Sequence, residues 1–193
     1  RRGVVSFTYR GKPYSLSIDD VACYPQSYAA AVSMLQTLTA VPLALVVDIG
    51  GYTMDYIRIK KGRSDLASCD SLENGVIMLY NNIISKVRAA QDILLSEEEI
   101  DAILLGQSVQ GVQEVVPVVE RCAQEFVSDL LSALRERQLE LRTAPVVFVG
   151  GGSILLKRHI EKSGKVAHPL FVEDIRANVK GYETLYRIAQ NSR

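Results

Sequence analysis

Two short stretches of this chain carry residue types suited to binding phosphate. The first is Asp48-Ile49-Gly50-Gly51-Tyr52-Thr53-Met54-Asp55, which follows the apolar run Leu43-Ala44-Leu45-Val46-Val47. A strand over that run delivers a carboxylate at its C-terminal end. Two glycines then let the backbone N–H groups of a tight turn approach a ligand, because no Cβ stands in the way. A concavity of N–H groups binds phosphate. Thr53 adds a hydroxyl donor, and Asp48 suits Mg²⁺ held through waters, since that ion gives up its hydration shell reluctantly. The competing reading is a plain β-hairpin turn in which Asp48 only ends a strand. Asp55 reads as a brace for the loop.

The second stretch is Val146-Val147-Phe148-Val149-Gly150-Gly151-Gly152-Ser153, another apolar run entering glycines and then a helical pattern. The glycines allow a flat base or a ribose to lie against the backbone, and the helix N-terminus behind them favours negative charge. A dinucleotide fingerprint requires a third glycine where this chain has Leu155, which argues against it. A tight strand-to-helix turn with no ligand is the bland alternative. Ser153 lacks the Gly-x-Ser-x-Gly surroundings of a nucleophile and reads as a helix cap.

The elements that must position these loops are legible in outline. Val4–Tyr9 and Tyr14–Ile18 alternate about a turn at Arg10-Gly11-Lys12-Pro13 and predict a hairpin. A small-residue helical stretch spans Tyr28–Leu35. Strands are expected at Leu43–Val47, Thr53–Ile59 and Ser64–Ser68, forming an antiparallel meander. Leu72, Val76, Leu79, Ile83 and Val87 recur at helical spacing to about Ala90. Ser96 and Glu99 form a capping box before a short helix to Leu105. A long helix carries Val115, Val119, Cys122, Phe126, Leu130 and Leu134, with Pro117 tolerated in its first turn. A strand at Pro145–Val149, a helix at Ile154–Ile160, a strand within Val166–Val172 and a helix over Asp174–Gln190 complete the order. A meander followed by βα units predicts an α/β fold with a mixed sheet flanked by helices.

The composition is that of an ordinary globular chain: 193 residues, 48% hydrophobic and 23% charged, with Lys+Arg and Asp+Glu at 22 each. A neutral balance does not advertise direct nucleic-acid binding. No apolar run reaches the roughly 18 residues of a membrane span, and the first residues lack a signal-peptide layout. The 3 cysteines, Cys23, Cys69 and Cys122, form no CxxC pair, so they read as reduced small side chains rather than zinc ligands. His159 and His168 are not spaced as metal ligands. The chain starts without Met, within what reads as a strand, and is expected to be a fragment or a processed form.

The two glycine loops resemble the second phosphate motif and the adenosine motif of the actin, heat-shock chaperone and sugar kinase superfamily, whose domains have a ribonuclease H-like fold. The nearest likeness is to the plasmid-segregation actins of the ParM/StbA type. Pro25-Gln26-Ser27 before Ala29-Ala30-Ala31 is similar to the inter-domain helix of that family. Leu72-Glu73-Asn74-Gly75-Val76 is similar to the entry of its ribose-side helix, and Ala177-Asn178-Val179-Lys180-Gly181-Tyr182 to its hinge helix near the C-terminus.

The resemblance implies a nucleotide, ATP or GTP, with Mg²⁺. It places Asp48 by the metal and the attacking water, Gln26 in position to orient that water, and Gly50, Gly51, Tyr52 and Thr53 at the phosphates. Glu73 falls near the ribose, and Gly150, Gly151, Gly152 and Ser153 along the adenosine. Gln26 also reads as a helix N-terminal residue bonded to its own first turn, and a neutral amide makes hydrolysis slow.

The implied organisation is a remnant hairpin of a first domain over 1–24, an inter-domain helix over 25–40 and an actin-like second domain over 41–193. The family's first phosphate loop is absent, so this stretch alone should bind nucleotide weakly and hydrolyse little. The implied function is a cytoplasmic, bacterial, filament-forming ATPase for plasmid or DNA segregation. Its partners are other copies of itself and an adaptor protein that binds the DNA, with no direct nucleic acid and no membrane. A non-polymerising ATP-binding switch or scaffold, and a small-molecule kinase, are the alternatives.

Overall fold

A computed structural model describes residues 3–191. Arg1 and Arg2 of the expected 1–24 segment, and the terminal Ser192 and Arg193, lie outside the described residues. Strands β1 (Gly3–Tyr9) and β2 (Lys12–Ile18) pair as an isolated antiparallel hairpin, exposed throughout. The expected turn over 10–13 is shorter than predicted, because Lys12 and Pro13 already pair with Tyr9 and Thr8.

The main sheet has five strands in the order β5-β4-β3-β6-β7. Strands β3 (Leu43–Ile49), β4 (Met54–Lys60) and β5 (Arg63–Leu72) form the antiparallel meander, and β6 (Val146–Val149) and β7 (Pro169–Phe171) run parallel to β3. β3 is central and buried on both faces, which explains its unbroken apolar run. Its side chains alternate between two cores. Leu45, Val47 and Ile49 join one with Val146 and Phe148, and Ala44 and Val46 join the other with Val147 and Val149.

The first core is covered by α3 (Val76–Gln91), α4 (Glu97–Leu104), α5 (Val116–Glu136) and α6 (Gly151–Lys162). The second lies under α1 (Gln26–Ala30), a 3-10 turn over Ala31–Met34 and α2 (Leu35–Thr39), with α7 (Ala177–Asn191) crossing α1. The predicted α/β class and mixed sheet hold. Several boundaries do not, among them the start of the last helix, at Ala177 rather than Asp174. Leu72 belongs to β5 rather than to the helix after it, because Gly75 is the N-cap of α3. The stretch read as one helix over 28–35 changes to 3-10 winding at Ala31. The expected strand over 166–172 shortens to Pro169–Phe171. The Ser96–Glu99 capping box forms as predicted, each residue bonding the other's backbone N–H. Cys122 is buried, whereas Cys23 and Cys69 are exposed.

A partly buried polar cluster ties three helices of the first face together. Arg158 of α6 pairs with Glu120 of α5 and donates to the carbonyls of Ile103 (3.1 Å) and Leu104 (3.2 Å) at the end of α4. A cation there also suits the negative end of the α4 dipole. His159 Nε2 lies 3.0 Å from Glu120, while its Nδ1 is buried without a partner. Burial holds His159 below the usual histidine range, partly offset by the Glu120 carboxylate, with Arg158 and Lys162 adding to the depression. The native histidine is therefore neutral. As pH falls below about 6.5, the ordinary histidine value, the unfolded chain takes up this proton first and folding loses stability. Chemical denaturation at pH 7.5 and 5.5 should show the midpoint dropping with acid, and the drop shrinking in His159→Gln. An equal drop in both proteins refutes the assignment.

Candidate functional site

The loop between β3 and β4 is closed by its own turn, with Gly50 N–H donating to Thr53 O at 2.9 Å. Its remaining carbonyls face the start of α3. Gly50 O accepts from Val76 N, Gly51 O from Ile77 N and Tyr52 O from Gly75 N, at 3.1, 2.9 and 3.0 Å. The loop carbonyls thus satisfy N–H groups that a helix start otherwise leaves open. Among the described residues, the N–H groups of Gly51, Tyr52 and Thr53 have no acceptor. This is a hairpin loop, and it is also a run of consecutive open amides, the arrangement that binds anions. The Thr53 hydroxyl donates to Asp55 at 3.0 Å, so Asp55 braces the loop and that donor is already engaged.

Facing this loop is the start of α6. Gly150 is its N-cap with φ +87°, a left-handed backbone that favours glycine. A Cβ there would lie 2.3 Å from Asp48 Oδ1 and 2.7 Å from Ile49 O, so β3 and the turn into α6 meet through this glycine. Ser153 is fully buried, and its hydroxyl donates to Gly150 O at 2.7 Å. It neither caps the helix nor faces the cleft, which corrects both expectations for that residue. That bond follows from the tight winding at Gly150, which residue types alone do not reveal.

Asp48 sits between the two loops, 3% exposed. Its Oδ2 accepts from Gln26 Nε2 at 3.4 Å, and the Asn178 side chain also donates to the carboxylate. Asn178 Oδ1 is buried and unpartnered. Burial, followed by the charge of Asp55, pushes the Asp48 carboxyl above its usual range, against the opposing bonds from Gln26 and Asn178. Gln26 therefore reaches across to Asp48 and is not closed on its own helix turn.

A cleft of about 410 Å³ opens alongside, lined by Gly50, Gly51, Gly151 and Gly152 together with Tyr80, Asp101 and apolar side chains. Tyr52, Thr53 and Glu73 do not line it; Tyr52 is 75% exposed, and Glu73 lies on the exposed link between β5 and α3. Tyr80 and Asp101, along with Leu105, Ile154, Leu155 and Ile175, were not expected from sequence. Tyr80 stands one helical turn beyond Val76, so periodicity offered a cue for it alone. A larger cleft of about 590 Å³, near Arg135, Arg142 and Lys165, shares no residue with the glycine loops. Among the described residues no cluster of three or more His, Cys, Asp or Glu is placed to hold a metal, and no helix is long and apolar enough to cross a membrane.

The fold is that of solved actin homologues. The archaeal actin homologue Ta0583 aligns with TM-score 0.68 and 20% identity over 96% of this chain and 62% of its own. That protein has also been solved in complex with ADP. Bacillus thuringiensis ParM with ATP aligns with TM-score 0.65 and 12% identity over 98% of this chain and 62% of its own. The actin-like protein Alp7A gives TM-score 0.66 and 15% identity over 94% and 56%. This chain therefore spans less than two thirds of each of them, and at these identities the likeness establishes the fold alone. No curated protein sequence matches. Residues 46–162, more than half of the chain, match the family described as archaeal actin homologue MreB-like, C-terminal, and the chain belongs to that family.

Proposed function

We propose that this chain is the nucleotide-binding half of an actin-like ATPase that polymerises into filaments, with plasmid or DNA segregation of the ParM/StbA type as its role. The observation that carries the reading is the pairing of open amides, those of Gly51, Tyr52 and Thr53 in the loop and of Gly151 and Gly152 at the α6 start, beside the buried Asp48 carboxylate. Gly51, Tyr52 and Thr53 serve the phosphates through their open N–H groups, and Gly50 closes the turn that presents them. Gly151 and Gly152 border the nucleoside, and Gly150 sets the turn that brings them beside Asp48. Asp48 is a lone carboxylate, so an associated Mg²⁺ is held chiefly by waters and phosphate oxygens, the mode that ion prefers. The ion would neutralise phosphate charge. Gln26 and Asn178 fix the orientation of Asp48, and Gln26, a neutral amide, orients water without acting as a strong base.

In this reading 1–24 belongs to a first domain, 25–40 joins the domains and 41–193 is the second. The apolar side chains of the exposed hairpin, Val5, Phe7, Tyr14 and Leu16, then find their sheet partners in the part of the fold this chain does not span. The protein acts in the cytoplasm, assembles with copies of itself and reaches DNA through an adaptor, consistent with its zero net charge. Sedimentation of the full-length protein with Mg-ATP or Mg-GTP, beside Asp48→Ala, tests this. Nucleotide-dependent pelleting that the variant loses supports the filament. Nucleotide binding with no pelleting over a wide concentration range replaces the filament with a switch or scaffold.

A further inference from the structure

The cleft beside the glycine loops has an unusual polar inventory. Apart from backbone, its lining contains only two polar side chains, Tyr80 of α3 and Asp101 of α4, and these bond to each other. The Tyr80 hydroxyl donates to Asp101 Oδ1. Burial, and then this carboxylate, hold the phenol firmly in its protonated form. Its proton is committed to Asp101, so what the pair offers an incoming ligand is lone pairs: those of the phenol oxygen, of Asp101 Oδ2, and the second pair on Oδ1. No lysine, arginine, histidine, amide or hydroxyl side chain lines the cleft to supply a donor instead.

The remaining walls are apolar. Leu105 is 47% exposed and Ile175 81% exposed, and both face this cleft with Ile154 and Leu155. Apolar surface left open inside a concavity gains from being covered by a flat, weakly polar body. The ligand that fits is planar, with hydrogen-bond donors along one edge.

Resting on the nucleotide reading above, we infer that the Tyr80–Asp101 pair makes this cleft select guanine over adenine nucleotides. Guanine carries adjacent donors, N1–H and the 2-amino group, which match the two oxygens of a carboxylate in a forked pair. Adenine sets one amino group beside the lone pair of N1. Facing a carboxylate, that lone pair meets another and stays unsatisfied. A site built to accept hydrogens rejects the analogue that lacks them, because the acceptors that the ligand covers are left unpaired. A bidentate base contact supplies roughly 10- to 100-fold discrimination.

Equilibrium binding of GDP, ADP, IDP and 2′-deoxy-GDP to the full-length protein with Mg²⁺ tests this. GDP is expected to bind about 10- to 100-fold tighter than ADP. IDP, which lacks the 2-amino group, falls between them, and 2′-deoxy-GDP stays close to GDP. Asp101→Asn offers one donor and one acceptor, the pattern that pairs with adenine, and shrinks or inverts the GDP/ADP ratio. The IDP comparison on wild type keeps the test independent of how well the variant folds. ADP binding as tightly as GDP overturns the inference and leaves the nucleotide reading standing. So does a loss that follows the 2′-hydroxyl rather than the 2-amino group, since the pair would then be reading ribose. If wild type binds none of the four, the nucleotide reading fails and this inference with it.

Discussion

Replacing Asp48 with asparagine should raise the melting temperature of this chain and, in the full-length protein, remove Mg²⁺-dependent nucleotide turnover. Both effects have one cause. The carboxylate is buried next to Asp55, and these two influences raise its pKa more than Gln26 and Asn178 lower it. A folded-state pKa above the unfolded value means the native state holds the proton more readily. Stability is therefore lost as pH rises from the ordinary aspartate value through the raised one, and at neutral pH the full cost of the buried charge is present. Asparagine keeps the shape and an acceptor for Gln26 while removing the charge. An increase of about 2–4 °C is expected, the shift that roughly 1 kcal/mol produces in a domain of this size.

The same charge faces the open amides where phosphate and Mg²⁺ would sit, so its loss should cost turnover at least about 100-fold, the scale for removing a preorganised electrostatic group. Thermal melts of the chain and phosphate release by the full-length protein check the two halves. A lowered melting temperature shows that the native structure favours the ionised form. Turnover within tenfold of wild type shows that Asp48 is not the group at the reaction centre.

Features that were legible in the sequence are mostly local. β3 and β6 were read from short β-branched runs because a strand buried on both faces must be apolar at every position. The Ser96–Glu99 box was read because it needs only residues three apart. Leu72 misled because it falls in phase with the α3 stripe while belonging to β5, and only the hydrogen bonds from Gly75, Val76 and Ile77 to the 50–52 carbonyls fix where the helix begins. The two glycine loops are contiguous stretches of chain, so their residues stood out in the sequence. The rest of the cleft wall is assembled by packing from α3, α4, α6 and the segment before α7. Tyr80 and Asp101 look in sequence like ordinary helix residues. Their pairing across α3 and α4 depends on the placement of α4, which the Arg158 contacts to its last carbonyls secure.

The helix crossing at Gly181 gives the second large effect. α7 crosses α1 with no room for a methyl group: a Cβ on Gly181 would lie 1.8 Å from Ala29 O and 2.4 Å from Ala29 C. Alanine is intrinsically the better helix former by about 1 kcal/mol, so in isolation Gly181→Ala would stabilise α7. Here the obstacle is backbone, which cannot rotate aside, and the helices must separate by more than an ångström. Overpacking of this kind costs about 1–3 kcal/mol or more, and separation also exposes the small cluster of Ala29, Val32 and Leu185.

We expect Gly181→Ala to lower the melting temperature by about 4–8 °C, on a scale of roughly 2 kcal/mol for a domain of this size. Val179→Ala, on the same helix but 70% exposed, should leave it unchanged. The consequence reaches the site, because Gln26 stands three residues before Ala29 and Asn178 three before Gly181, and both donate to Asp48. Moving α7 off α1 draws the two donors apart, so nucleotide binding by the full-length protein should weaken along with stability. Truncating the residue at position 29 to glycine should rescue neither property, since the clash is with its carbonyl and not its side chain. Rescue by Ala29→Gly, or an unshifted melt in Gly181→Ala, would show that the crossing is looser than the structure has it and that Asp48 is held in place by other means.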